Sequence, residues 1–132
     1  MGAEADIEGL LARYRQTLLA MDKGRIETGG TAKHWNRLVH QLQSLHLALR
    51  EHTAGRAGIS ALIDDDVATV RQWAASHALF WDEQRARAEL EREAATDHTL
   101  SGLEAKITLR EFDAGRLNHT WTPKGQGRAS DC

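Results

Sequence analysis

Between Trp35 and Leu49 the large apolar side chains fall at Trp35, Leu38, Leu42, Leu45 and Leu49, alternating by three and four, with Val39 widening the row. Only an α-helix gathers that spacing into one stripe. The pattern predicts a helix over about Ala32 to His52, and such a helix needs an apolar face to pack against. The chain supplies one just upstream, where Ile7, Leu10, Leu11, Tyr14, Leu18 and Met21 repeat the pattern from Asp6 to Met21. Between them "DKGRIETGGT" reads as a loop, with paired glycines at Gly29 and Gly30 and with Thr31 placed to cap the next helix. A short connection makes the two helices antiparallel neighbours. Burying each large side chain contributes about 1.5–3 kcal/mol before ordering costs, so Trp35 and the leucines are expected to hold much of the core.

Composition extends the helical reading to the whole chain. Of 132 residues only Pro123 is a proline, and Ala, Leu, Arg, Glu and Gln dominate. That length accommodates one core. The lone cysteine, Cys132, rules out an internal disulfide. "MGAEADIEGLLARYRQ" has no basic region leading into an apolar stretch and does not read as a signal peptide. No apolar run approaches the roughly 18 residues of a membrane span. The expected setting is the cytoplasm, with no membrane partner.

Further along, "HTAGRAG" reads as a break and "ISALI" as a short helical turn stopping at Asp64, Asp65 and Asp66. Those acids stand where a helix N-terminus would begin, which favours carboxylates as caps and as partners of the macrodipole. After them Val67, Val70, Ala74, Ala78 and Trp81 share one face, flanked by Ala75 and Leu79. "ARAELEREAA" forms the next helix, and thirty residues on Leu100, Ala105 and Leu109 echo Val70, Ala75 and Leu79. A last helix beginning at Thr99 or Ser101 turns Ala105, Leu109 and Phe112 one way and Leu103 and Ile107 another, as if packed on two sides, until Gly115 stops it. Residues 118–132 are expected to form a flexible tail unless Trp121 docks.

A short helix ending in Leu62, Asp64 and Asp66, followed by Val70, Arg71, Ala74, Ala75, Ala78 and Leu79, resembles the second half of a HEAT repeat. The resemblance implies that Asp64 or Asp66 braces the turn with Arg71. Taken with "KHWNRLVHQLQSLHLALR" and "EAKITLREFDAGRL", the order of features is similar to a bacterial family known as domain of unknown function twenty-nineteen. The matching positions include Asn36, Arg37, Leu38, Leu49, Arg56, Leu62, Val70, Arg71, Ala74, Ala75, Leu109, Glu111 and Gly115, spread from about Leu10 to Leu117. The family pattern often has Pro or His and Asn where this chain has its acid triplet, and the tail has no counterpart. The implied fold is a compact all-α, HEAT-like hairpin stack of about five to six helices, a single domain over residues 1–117. Some members of the family are encoded beside toxin genes, which implies an immunity protein that occludes one cognate toxin.

The chemistry-bearing residues form no catalytic pattern. His34, His40, His46 and His52 recur every six residues, which on a helix turns successive rings some 120° apart and keeps them from one metal ion. Neither Ser60 nor Ser76 sits in a nucleophile elbow, and "GRAG" lacks the spacing of a phosphate loop. No catalytic, cofactor or metal residue is expected, and no enzymatic activity. Charge divides unevenly: Met1–Ile63 carries eight basic residues against six acids, Asp64–Asp113 six against twelve, and the remainder three against one. An acidic centre disfavours nucleic acid and suits a basic protein partner. The contact candidates are the acids Asp65, Asp82, Glu83, Glu89 and Glu93, expected to be exposed, together with Trp73, His77, Trp81 and Trp121. A scaffold domain for another partner, or a HEAT-like nucleic-acid enzyme with salt-sensitive DNA binding, are the alternatives.

Overall fold

The structure, a computed structural model, describes residues 3–26, 32–97 and 100–123. The protein is all-α. Its helices are α1 (Ala3–Ile26), α2 (Ala32–Arg50), α3 (Thr53–Ala61), α4 (Ala68–Ala78), α5 (Glu83–Thr96) and α6 (Leu100–Asp113), with a 3₁₀ turn at Leu62–Asp64. No strand occurs among the described residues. The chain divides into two compact units, one comprising residues 1–56 and 120–132 and the other residues 57–119.

In the first unit α1 and α2 pair along the two stripes. Ile7, Tyr14, Leu18 and Met21 are buried against Leu38, Leu42, Leu45 and Leu49. Trp35 departs from the expectation: it is half-exposed near the start of α2, and the core begins at Leu38. Thr17 joins the helices through its hydroxyl, which donates to the Arg13 carbonyl at 2.8 Å and accepts from Gln41 Nε2 at 3.2 Å.

The tail segment belongs to this unit. Gln43 Nε2 donates to the Trp121 carbonyl at 2.8 Å, and the Trp121 ring meets His40 edge-on at 5.7 Å. Behind Gln43 the fully buried His46 places Nδ1 3.1 Å from Gln43 Oε1 and Nε2 3.2 Å from Arg50 Nη1. A guanidinium only donates, so Nε2 accepts and Nδ1 carries the proton. That tautomer turns the Gln43 carbonyl inward and leaves its NH₂ to hold the tail. Trp121 therefore docks, and Pro123 is buried; residues 124–132, the rest of the expected tail, lie outside the described residues.

"HTAGRAG" is not a break. After a turn at Glu51 and His52 it winds directly into α3. Gly55 permits this, because a Cβ there would collide with the backbone of Leu49. Arg56 fastens the corner, donating to the Arg50 carbonyl at 2.6 Å and to Thr53 Oγ1 at 3.1 Å.

In the second unit α4 packs on α5 and α5 on α6, a stack of successive helices. Its core is small-grained: Ala74, Ala75, Ala78, Ala86 and Ala105 are fully buried beside Ile59, Val70, Leu79 and Leu90. Gly102 is buried at the start of α6, where a Cβ would strike the Asp97 carbonyl. Gly115, at φ +74°, closes that helix. There Gly115 N–H donates to the Phe112 carbonyl at 3.0 Å and Arg116 N–H to the Glu111 carbonyl at 2.9 Å, the paired bonds of a Schellman motif.

The acid triplet acts differently from the cap expected of it. Val67, not an aspartate, precedes α4, and no side chain caps that end. Asp65 Oδ1 accepts from Val67 N–H at 2.9 Å, a local turn. Arg71 Nη1 braces the turn by donating to the main-chain carbonyls of Asp65 and Asp66 at 2.9 and 3.0 Å. The brace implied by the HEAT resemblance thus runs through backbone, while the Asp64 carboxylate pairs with Arg85.

Candidate functional site

The expected contact residues separate into three groups. Trp121 lies in the first unit and all the others in the second. Within the second unit Trp73, His77 and Trp81 gather along α4 and its exit. The Trp73 and His77 rings are 6.1 Å apart, His77 meets His119 edge-on at 5.4 Å, and Trp81 Nε1 donates to Ser60 Oγ at 3.1 Å. Trp73 and Trp81 are half-exposed, but His77 is buried. Its ring is therefore a packing group and not a surface contact.

The carboxylates are less available than their number suggests. Asp65 is half-buried and held by its turn, and exposed Glu83 pairs with Arg87 at 3.3 Å. Asp82 occupies the N-cap position of α5 without a capping bond, a placement that still favours negative charge. Glu89 and Glu93 are corrections to the expected exposed face: the Glu89 side chain retains 12% exposure and Glu93 only 3%. One helical turn apart, both carboxyls point inward beside Arg71.

This buried pair is electrostatically divided. Burial, then a hydrogen bond and repulsion from Glu89, pushes the Glu93 carboxyl up to about 8 against the attraction of Arg71 and Arg92. Burial acts on Glu89 in the same upward sense, but hydrogen bonds from Arg92 and from Glu93, with the nearby charge of Arg71, outweigh it and leave Glu89 lowered. Arg71 Nε stands 3.4 Å from Glu89. Two neighbouring buried carboxyls favour a shared proton over two charges, so the pair titrates as a unit. The periodicity of α5 gave no sign of this, because Glu at 89 and 93 reads as a solvated row until α4 is laid over it.

The outer face of α6 is more exposed than its periodicity implies. Leu100, Leu103 and Ile107 are 61%, 52% and 45% exposed. They recur at helical spacing, so they form one apolar row. The sequence pattern puts Leu103 and Ile107 on a second packed side; among the described residues that side is open. Phe80 is 41% exposed nearby in sequence to the α4 exit, edge-on to Phe112 at 5.3 Å and 4.4 Å from His119. Arg87 binds Asp113 and Glu83, lies 3.9 Å from Glu91 and stands 5.8 Å from the Phe112 ring centre, tying α5 to the end of α6.

Among the described residues no three His, Cys, Asp or Glu side chains gather to hold a metal ion, and no helix is long and apolar enough to cross a membrane. No family model matches the chain, and no curated protein matches it. The crystal structure of the protein RPA1889 from Rhodopseudomonas palustris CGA009 is similar, with a TM-score of 0.75 and 20% identity over 85% of this chain and 92% of that one. At that identity the likeness is one of fold.

Proposed function

We propose that the protein is a non-enzymatic binding module of the immunity type, which captures one cognate toxin through the open side of α6. The observation that carries this reading is the exposed row Leu100, Leu103 and Ile107. Contiguous apolar surface on a folded chain favours a protein partner, and three aliphatic side chains at helical spacing suit a groove or helix of that partner. The second unit holds twelve acidic residues against seven basic ones, so the complementary partner surface is apolar with a basic rim. The resemblance to domain of unknown function twenty-nineteen supports a toxin as that partner, and the cytoplasm as the place of encounter. Co-expression with the product of the adjacent gene tests the proposal: rescue from toxicity and a joint peak on size exclusion are expected. Toxicity unrelieved, with no joint peak, contradicts it.

A further inference from the structure

On the first unit, Lys33, Asn36, Arg37 and Gln41 of α2 face Arg13 of α1 across an open groove of about 870 Å³ that includes Leu45. Three of the lining side chains are cations and none is a carboxylate. Among the described residues, the side chains of Arg13, Lys33 and Arg37 form no ion pair or hydrogen bond. Their placement is unfavourable in the free protein. Lys33 stands in the first turn of α2, which carries no acid, against the positive end of the helix dipole. Arg37 follows four residues later, where like charges on one helix face repel. An anion seated between the helices would reverse both effects, since it would meet three cations and the helix dipole with favourable sign.

The neutral residues of the groove define its walls. Gln41 is held by Thr17 at 3.2 Å, and Ser44 by the His40 carbonyl at 3.1 Å, so the flank of α2 is fixed before any ligand arrives. Asn36 offers a further amide donor. The groove is open to solvent, with Arg13, Lys33, Asn36 and Arg37 exposed along it, and multiple guanidinium and ammonium donors match the oxygens of phosphate better than a single carboxylate. We propose that this groove binds a small phosphorylated anion, its phosphate oxygens held by Arg13, Lys33 and Arg37 and by the Asn36 amide.

The proposal uses none of the residues of the α6 row, so either can fail without the other. Calorimetric titration of the full chain at near-physiological salt, without magnesium, would use inorganic pyrophosphate and adenosine triphosphate as separate probes. Saturable binding of either probe supports the site, and similar affinities for the two would assign recognition to the phosphates they share. Replacing Arg13→Gln and Arg37→Gln should weaken binding roughly tenfold for each arginine removed, with unchanged far-ultraviolet dichroism, while Lys106→Gln on α6 should leave it intact. Amide resonance shifts should centre on residues 33–44 and on Arg13. Absence of saturable binding for both probes, or binding undiminished in the double variant, overturns the proposal.

Discussion

Glu93 sits where an isolated carboxylate would be costly to ionise, 3% exposed and beside a second acid. The folded chain therefore binds its proton more tightly than the unfolded chain, with affinity raised from the ordinary 4.5 to about 8. The stability this contributes is complete below about 4.5 and is lost as the pH rises through about 8. Glu89 has the opposite sign: its affinity is lowered, so its contribution is present at neutral pH and lost on acidification. Glu93→Gln keeps the shape of the protonated acid and cannot ionise. Urea unfolding should show the variant close to the parent at pH 5 and more stable at pH 9. A penalty of equal size at both values would mean that Glu93 is ionised and paired in the native state.

Two glycines invite a paired test. Gly9 lies exposed within α1 with nothing close to a Cβ, whereas a Cβ on Gly55 would meet the Leu49 backbone. Gly9→Ala should stabilise by about 0.5–1 kcal/mol through the unfolded chain and helix propensity. Gly55→Ala should destabilise by about 1–3 kcal/mol, as forced overpacking does. A denaturant midpoint that rises for Gly55→Ala, as it should for Gly9→Ala, would refute the close approach of Gly55 to the Leu49 carbonyl.

At the scale of elements, the three-and-four stripes of α1 and α2 were legible apart from half-exposed Leu10, Leu11 and Trp35, because each helix buries most of its row against the other, although α1 runs on to Ile26 through what reads as the start of a loop. The identity of the last helix and its stop at Gly115 were legible as well, since a glycine in the left-handed region closes α6. The start of α3 was not. Gly55 and Gly58 in "HTAGRAG" lower helix propensity, and local sequence carries no record that Gly55 must clear a carbonyl six residues earlier. The Asp triplet misled for a related reason: aspartates favour helix caps, yet here Asp65 bonds the main chain one step short of α4 and Arg71 holds the turn. The relay from Arg50 through His46 and Gln43 to Trp121 joins residues up to 78 positions apart, beyond the reach of any periodicity. Replacing Gln43→Leu should free the segment at Trp121 and speed its amide exchange, with little change in α4 to α6; unchanged exchange there would show that the Gln43 bond does not hold the tail.

For the whole molecule, a net charge of −2 conceals opposite local characters. The second unit is acidic in sum, but Arg85, Arg87, Arg92 and Arg116 engage Asp64, Glu83, Asp113, Glu89 and Glu111. Apart from Arg92 with the inward Glu89, these are exposed pairs that add little stability, and together they leave fewer carboxylates for a partner than the sequence count implied. Candidate contact residues could be recognised as acidic or aromatic from sequence, but not sorted into exposed and buried: Glu83 faces solvent, whereas Glu93 and His77 do not. The same ambiguity hid the α6 row, since an apolar stripe looks alike whether its partner is in the chain or outside it. The most direct measurement is amide hydrogen exchange on the protein with and without the adjacent gene's product. The binding account predicts new protection over α6 at Leu100 to Ile107, with Leu103→Asp abolishing both the protection and the complex. A stable complex that leaves α6 exchanging as in the free protein would contradict it.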